Sequence, residues 1–112
     1  MAVAFDAFSS GLLVNTDVTS SHVVVGTPRA VINMIGGIVG TDQIDASDYG
    51  GSAMTEMALS PLLKTAAEAM GDYAYFLGSS IPTGNQTAFG NSTGANNKQL
   101  SCITLTAADQ AA

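Results

Sequence analysis

Catalysis or ligand binding needs a nucleophile, an acid or base, or a set of convergent ligands, and this chain supplies few candidates. Its one histidine, His22, follows Ser20 and Ser21. A serine and an imidazole work as nucleophile and base only where the side chains meet and an acid orients the ring. On a strand, Ser21 and His22 would point to opposite faces, and no spacing in the sequence places an acid behind the ring. His22 is therefore expected to be a hydrogen-bonded structural residue at a strand end. Asp42, Asp45 and Asp48 recur at every third position and could offer oxygens to Ca2+. They lack the alternating ligands, central glycine and closing glutamate of an EF-hand loop, so they read as turn and hairpin acids. Asn85-Gln86-Thr87 and Asn91-Ser92-Thr93 fit the glycosylation pattern, yet read as turn residues because no secretion signal is recognised: Asp6 falls in the first apolar stretch and no Lys or Arg precedes it. Cys102, the single cysteine, lies in an apolar stretch and reads as a small hydrophobe. No catalytic residue, metal ligand or cofactor site is assigned.

The aromatic residues are the other chemically distinctive set. Tyr49, Tyr73, Tyr75, Phe76 and Phe89 could make a sugar-stacking platform, but in a domain without Trp their area is better spent in core and interface packing. Phe5, Phe8, Tyr49, Tyr73, Tyr75 and Phe89 are taken as the candidate interaction residues.

Composition narrows the function classes. A chain of 112 residues is expected to form a single domain with one core. Charged residues make up 11%, under half the usual share, so the polar surface must be Ser, Thr, Asn and Gly. Such a surface suits a protein packed against neighbours, because few ions must be desolvated at each contact. Arg29, Lys64 and Lys98 stand against nine acids, and the net charge of −6 disfavours nucleic acid and anionic membranes as partners. No run approaches the roughly 18 apolar residues of a membrane span.

The elements that must position these residues read mostly as strands. Residues 44–59 form the organising stretch, two strands folded on Gly50-Gly51, which can both take positive φ as a two-residue hairpin turn requires. A first strand or arm covers residues 1–8, with Ser9-Ser10-Gly11 as a loop. Residues 12–18 and 22–25 are rich in β-branched types and read as strands around polar clusters. Residues 29–39 have apolar spacing that a helix could also use, but Val31, Ile32, Ile35 and the pair Gly36-Gly37 favour a buried strand with a glycine bulge. Ser60-Pro61 followed by an alanine-rich apolar stripe up to Gly71 predicts one helix over residues 60–71. Residues 72–77 are aromatic and read as a strand, residues 79–97 as loops with a strand-like piece at 86–90, residues 99–106 as the last strand with Leu100, Cys102 and Thr104 on one face, and residues 107–112 as a soft tail. The fold class expected is all-β, an antiparallel β-sandwich with one short helix in a connection.

The order of several short motifs carries a resemblance. Ala4-Phe5-Asp6-Ala7 with Ser9-Ser10-Gly11, Ser21-His22-Val23-Val24 leading to Arg29, Tyr49-Gly50-Gly51 with Ala53-Met54-Thr55, and Tyr75-Phe76-Leu77 followed by Pro82-Thr83-Gly84-Asn85 occur in sequence. In this order, over residues 4–106, the chain resembles the jelly-roll-like β-sandwich modules of phage structural proteins and bacterial surface proteins. The resemblance implies a capsid decoration, or cement, protein on the outer surface of a virion, made in the host cytoplasm and binding the major capsid protein and copies of itself, for instance as a trimer. It implies no catalytic residues. Two departures stand out: the connection at 60–71 is more helical than the family's hairpin, and similar modules continue with further strands, so neighbouring chains are expected to cover the sheet edges. A carbohydrate- or receptor-binding module of a tail fibre or surface assembly is the alternative, with the tyrosines and Asn-rich loops as its contacts.

Overall fold

The computed structural model describes residues 3–38, 41–64 and 70–106. Ten strands follow one another: β1 (Ala4–Ser10), β2 (Val18–His22), β3 (Ala30–Gly37), β4 (Ile44–Tyr49), β5 (Ser52–Ala53), β6 (Thr55–Glu56), β7 (Leu62–Lys64), β8 (Met70–Leu77), β9 (Gln86–Ser92) and β10 (Lys98–Thr106). Every pairing is antiparallel. Sheet A runs β1-β10-β3-β8-β6, with β7 also on β8, and sheet B runs β2-β9-β4-β5. The chain thus crosses repeatedly between the two sheets, and the architecture is all-β and sandwich-like.

Period-two alternation places the core. Val31, Ile35, Tyr73, Tyr75, Leu100 and Cys102 of sheet A meet Val18, Ile44, Tyr49 and Ala88 of sheet B, and all are buried. Side chains also bond across the gap. Asn33 Nδ2 donates to Ser47 Oγ at 2.9 Å, and the Gln43 N–H donates to the Tyr73 hydroxyl at 2.8 Å. Such bonds let polar residues occupy a sandwich interior, because each buried polar group without a partner costs about 1–3 kcal/mol.

The diglycine turn forms as expected, with φ of 58° at Gly50 and 84° at Gly51. The returning arm of the hairpin is shorter than residues 52–59: β5 pairs with β4 only through Ala53 and Ser52, after which β6 pairs with β8 in the other sheet. The last strand and the strand at 72–77 stand where expected, and Leu100, Cys102 and Thr104 share the buried face of β10.

Several expectations are corrected. No helix occurs among the described residues, and the helix expected over 60–71 is replaced where it is described: Leu62–Lys64 pairs with β8 as Leu62↔Asp72, Leu63↔Gly71 and Lys64↔Met70. Residues 65–69 of that stretch lie outside the described residues, as does the tail at 107–112. An amphipathic stripe makes a helix only if something covers it, and here Leu59 and Leu62 are exposed, while the backbone finds partners on β8. The strands expected at 12–18 and 22–25 are one strand spanning the polar cluster between them. Val18, Ser20 and His22 point inward, Thr19 and Ser21 outward, and Val23 and Val25 are left exposed beyond its end. Residues 9 and 10 extend β1 rather than forming a loop. The bulge expected at Gly36-Gly37 is absent, since β3 pairs in unbroken register with both neighbours. Glycine is needed there for close approach instead, because a Cβ on Gly37 would run into the Asn97 carbonyl. The register shifts fall between Phe5 and Ala7 and between Ile44 and Ala46.

Candidate functional site

The six candidate interaction residues fall into separate places. Tyr49, Tyr73 and Tyr75 are core residues, at most 3% exposed. Burial pushes the Tyr49 hydroxyl up to about 12 and raises Tyr73 and Tyr75 as well, so all three remain neutral. Rings buried to that degree present no face to a sugar. Phe89 is half-buried on the outer side of sheet B, where it stands opposite Thr19 and Asp48. Phe5 and Phe8 project from the outer side of sheet A, 66% and 57% exposed. The structure therefore brings together the tyrosines as core, and Phe5 with Phe8 as surface.

His22 sits in a hydrogen-bonded chain that no local spacing announces. Ser9 Oγ lies 2.7 Å from Nδ1, and Thr104 Oγ1 lies 2.9 Å from Nε2. Thr104 spends its hydroxyl proton on Asp6 Oδ2 at 2.8 Å, so its oxygen must accept from Nε2–H. With the proton on Nε2, neutral Nδ1 accepts from Ser9, whose own oxygen accepts from Ser20 Oγ–H at 2.8 Å. The donors run in one direction from Ser20 to Ser9 to His22 and from His22 through Thr104 to Asp6. Burial holds the imidazole below its usual range, opposed by the nearby Asp6 carboxylate. Burial also pushes Asp6 up, but bonds from the Gly26 N–H, the Thr104 hydroxyl and the Val25 N–H outweigh it and hold the carboxyl low.

This chain has the parts of a serine–histidine–acid relay, but not the setting. The imidazole is 1% exposed, and none of the three surface depressions found touches Ser9, His22, Thr104 or Asp6. A nucleophile needs space for the carbonyl it attacks and donors for the resulting oxyanion. What the network does instead is tie β1, β2 and β10 together where the edges of the two sheets meet.

The other candidates are structural too. Asp42 accepts from the Ile44 N–H and Asp48 from the Gly51 N–H, as turn acids do. No group of three His, Cys, Asp or Glu that could hold a metal ion occurs among the described residues. Asn85 accepts from the Val24 N–H. Cys102 is buried, and burial raises its thiol to about 12. Lys98 is fully buried, its ammonium donating to the Gly94 and Asn96 carbonyls.

The surface feature with functional potential is the outer face of sheet A. The registers set Phe8 beside Ile103, Ile103 beside Ile32, and Ile32 beside Phe76, an apolar row across four strands. Sheet B turns Thr19, Ser21, Thr87 and Asp48 outward in the way a solvated antiparallel face does. Sheet A carries large apolar side chains on both faces. Its outer face carries a groove of about 680 Å³, floored by Met34, Gly36, Ala74 and Ser101 and walled by Phe8 on one side and Met57, Leu59 and Leu62 on the other. The Met57 N–H donates to the Ala74 carbonyl, and Ser60 Oγ accepts from the Ala74 N–H, fixing the wall to β8. No protein-family model, curated protein or solved structure matches the chain.

Proposed function

We propose that this chain is a non-enzymatic structural protein of a virion, a small decoration protein that binds the outside of a tailed-phage capsid beside copies of itself. The observation that carries this reading is the outer face of sheet A, where Phe5, Phe8, Met34 and Phe76 are all at least 40% exposed. An apolar face of this extent on a sheet whose other side is already the core marks a contact surface. Burying it between copies of this chain that straddle the boundary between capsid subunits would share the strain that packaged DNA places on the shell, and needs no active site.

Strand order supports the reading by analogy. The orders β1-β10-β3-β8 and β2-β9-β4-β5 correspond to the interleaved winding of a jelly roll, an architecture used by viral capsid proteins and also by lectins and cupins. The carbohydrate-binding alternative is weakened by the burial of Tyr49, Tyr73 and Tyr75, which removes its tyrosines as stacking surfaces.

The test is cosedimentation of the purified protein with tailed-phage capsids assembled without it. Binding that saturates at a fixed ratio to the major capsid protein, and that is lost in Phe8→Asp, is the expected result. No binding to capsids would overturn the reading.

A further inference from the structure

The geometry points to the outer face of sheet A as a twofold contact between two copies of this chain, in which Leu59 of each copy enters the groove of the other. This deepens the reading above, resting on its claim of self-assembly but not on the identity of the particle.

Leu59 is the first ground. It is 88% exposed, and its φ of 70° lies where residues with a Cβ seldom go. Glycine would hold that backbone without strain. A large apolar side chain is thus displayed to solvent on a backbone that disfavours it, held in place by the turn in which the Ser60 N–H donates to the Met57 carbonyl. Strain of this kind is retained where a side chain has a task.

The second ground is that projection and cavity share one face. Leu59 forms one wall of a groove floored by the small residues Gly36, Ala74 and Ser101. A twofold axis lying between wall and floor carries each Leu59 onto the partner's floor in one operation, which is the self-complementarity an isologous dimer requires. A different protein would have to match both features independently.

Area and charge agree. The four long strands, about 4.8 Å apart and about eight residues long at 3.4 Å each, give a face of roughly 500 Å². Two such faces bury roughly 1,000 Å², the level at which specific interfaces begin. Copies that each carry −6 repel one another, so they can meet only where acids are sparse. Asp72 is the one charged residue among the described residues that line the groove. Facing sheets also pack with strands nearly aligned, a geometry two copies of one twisted sheet can adopt.

The experiment is sedimentation velocity of the full chain from about 1 to 200 µM, without capsids. The wild type is expected to run at twice the chain mass. Leu59→Gly removes the side chain and relieves the backbone, so it keeps the fold, and should weaken the dimer by about a hundredfold or more, the equivalent of losing two buried leucines, one from each copy. Met34→Asp, on the groove floor, should do the same, while Val25→Asp, on an exposed loop, should change nothing. A wild type that stays monomeric, an oligomer indifferent to Leu59→Gly, or a closed trimer would overturn the proposal. A dimer that ignores capsids supports this contact and overturns only the virion reading. A monomer that binds capsids does the reverse.

Discussion

Replacing Thr104 with valine should destabilise the protein by more than the loss of one hydroxyl suggests, and the excess should vanish when His22 is absent. Thr104 is fully buried, and valine has nearly its shape, so packing and strand preference are kept. Two bonds are lost. The first leaves His22 Nε2–H, now 2.9 Å from a methyl group, with no acceptor in a buried site, at about 1–3 kcal/mol. The second is the bond to Asp6, worth about 1 kcal/mol, since that carboxylate keeps the Gly26 and Val25 N–H donors and reaches solvent. The sum, about 2–4 kcal/mol, is a large part of the roughly 5–15 kcal/mol by which domains are stable. In a His22→Leu background the orphaned N–H no longer exists, and Thr104→Val should cost only about 1 kcal/mol. The assay is urea unfolding at pH 7.5 of the four proteins in that cycle, read by far-UV circular dichroism. A Thr104→Val cost that is equal in both backgrounds within about 0.5 kcal/mol would refute the bond between His22 and Thr104 on which the reasoning rests.

Three further outcomes are expected. Because burial lowers the His22 pKa from 6.5, the unfolded chain takes up the proton first: stability is fully present above pH 6.5 and falls as pH drops through the folded value, and urea midpoints measured from pH 8 to 5 should show that fall, diminished in His22→Leu. Tyr49→Phe should be neutral or stabilising by up to about 1 kcal/mol, because the Tyr49 hydroxyl is buried without a hydrogen-bond partner; a loss above about 1 kcal/mol in the same titration would contradict this. Alanine at Gly51, where a Cβ meets nothing, should cost about 1 kcal/mol for its positive φ alone, whereas at Gly50 it should cost more, because the Cβ would lie 2.5 Å from Gln86 Oε1; thermal melts of the two variants should rank them in that order.

Much of the strand pattern was legible because it is written in local alternation. Leu100, Cys102 and Thr104 on one face, the aromatic run at 73–76 and the diglycine turn each depend on residues within a few positions. The helix at 60–71 was misread because an apolar stripe has the same look whether or not a partner surface exists to cover it. The polar segment 19–21 was misread because a half-buried strand beside a hydrogen-bonded core can carry Ser20 and His22 inward. Of the candidate residues, Phe5 and Phe8 were placed on a surface and the tyrosines in the core by facts of register that composition does not encode. The partners of His22 went unseen: Thr104 lies 82 positions away, and Asp6 lies 98 positions from Thr104.

The sequence by itself determined that this would be a β protein of low charge, short of catalytic groups and turning at Gly50-Gly51, because those properties follow from residue types and near neighbours. Only the tertiary structure decided which residues share a face across strands. The apolar row from Phe8 to Phe76 exists because β1 lies on β10, β10 on β3 and β3 on β8, pairings between segments far apart in the chain. A one-residue slip in any of them would turn that strand's apolar set to the other side. The serine beside His22 in sequence is Ser21, which points outward, while the serine that meets the ring is Ser9 on another strand. Local chemistry sets what each segment can become, and long-range register sets what it meets.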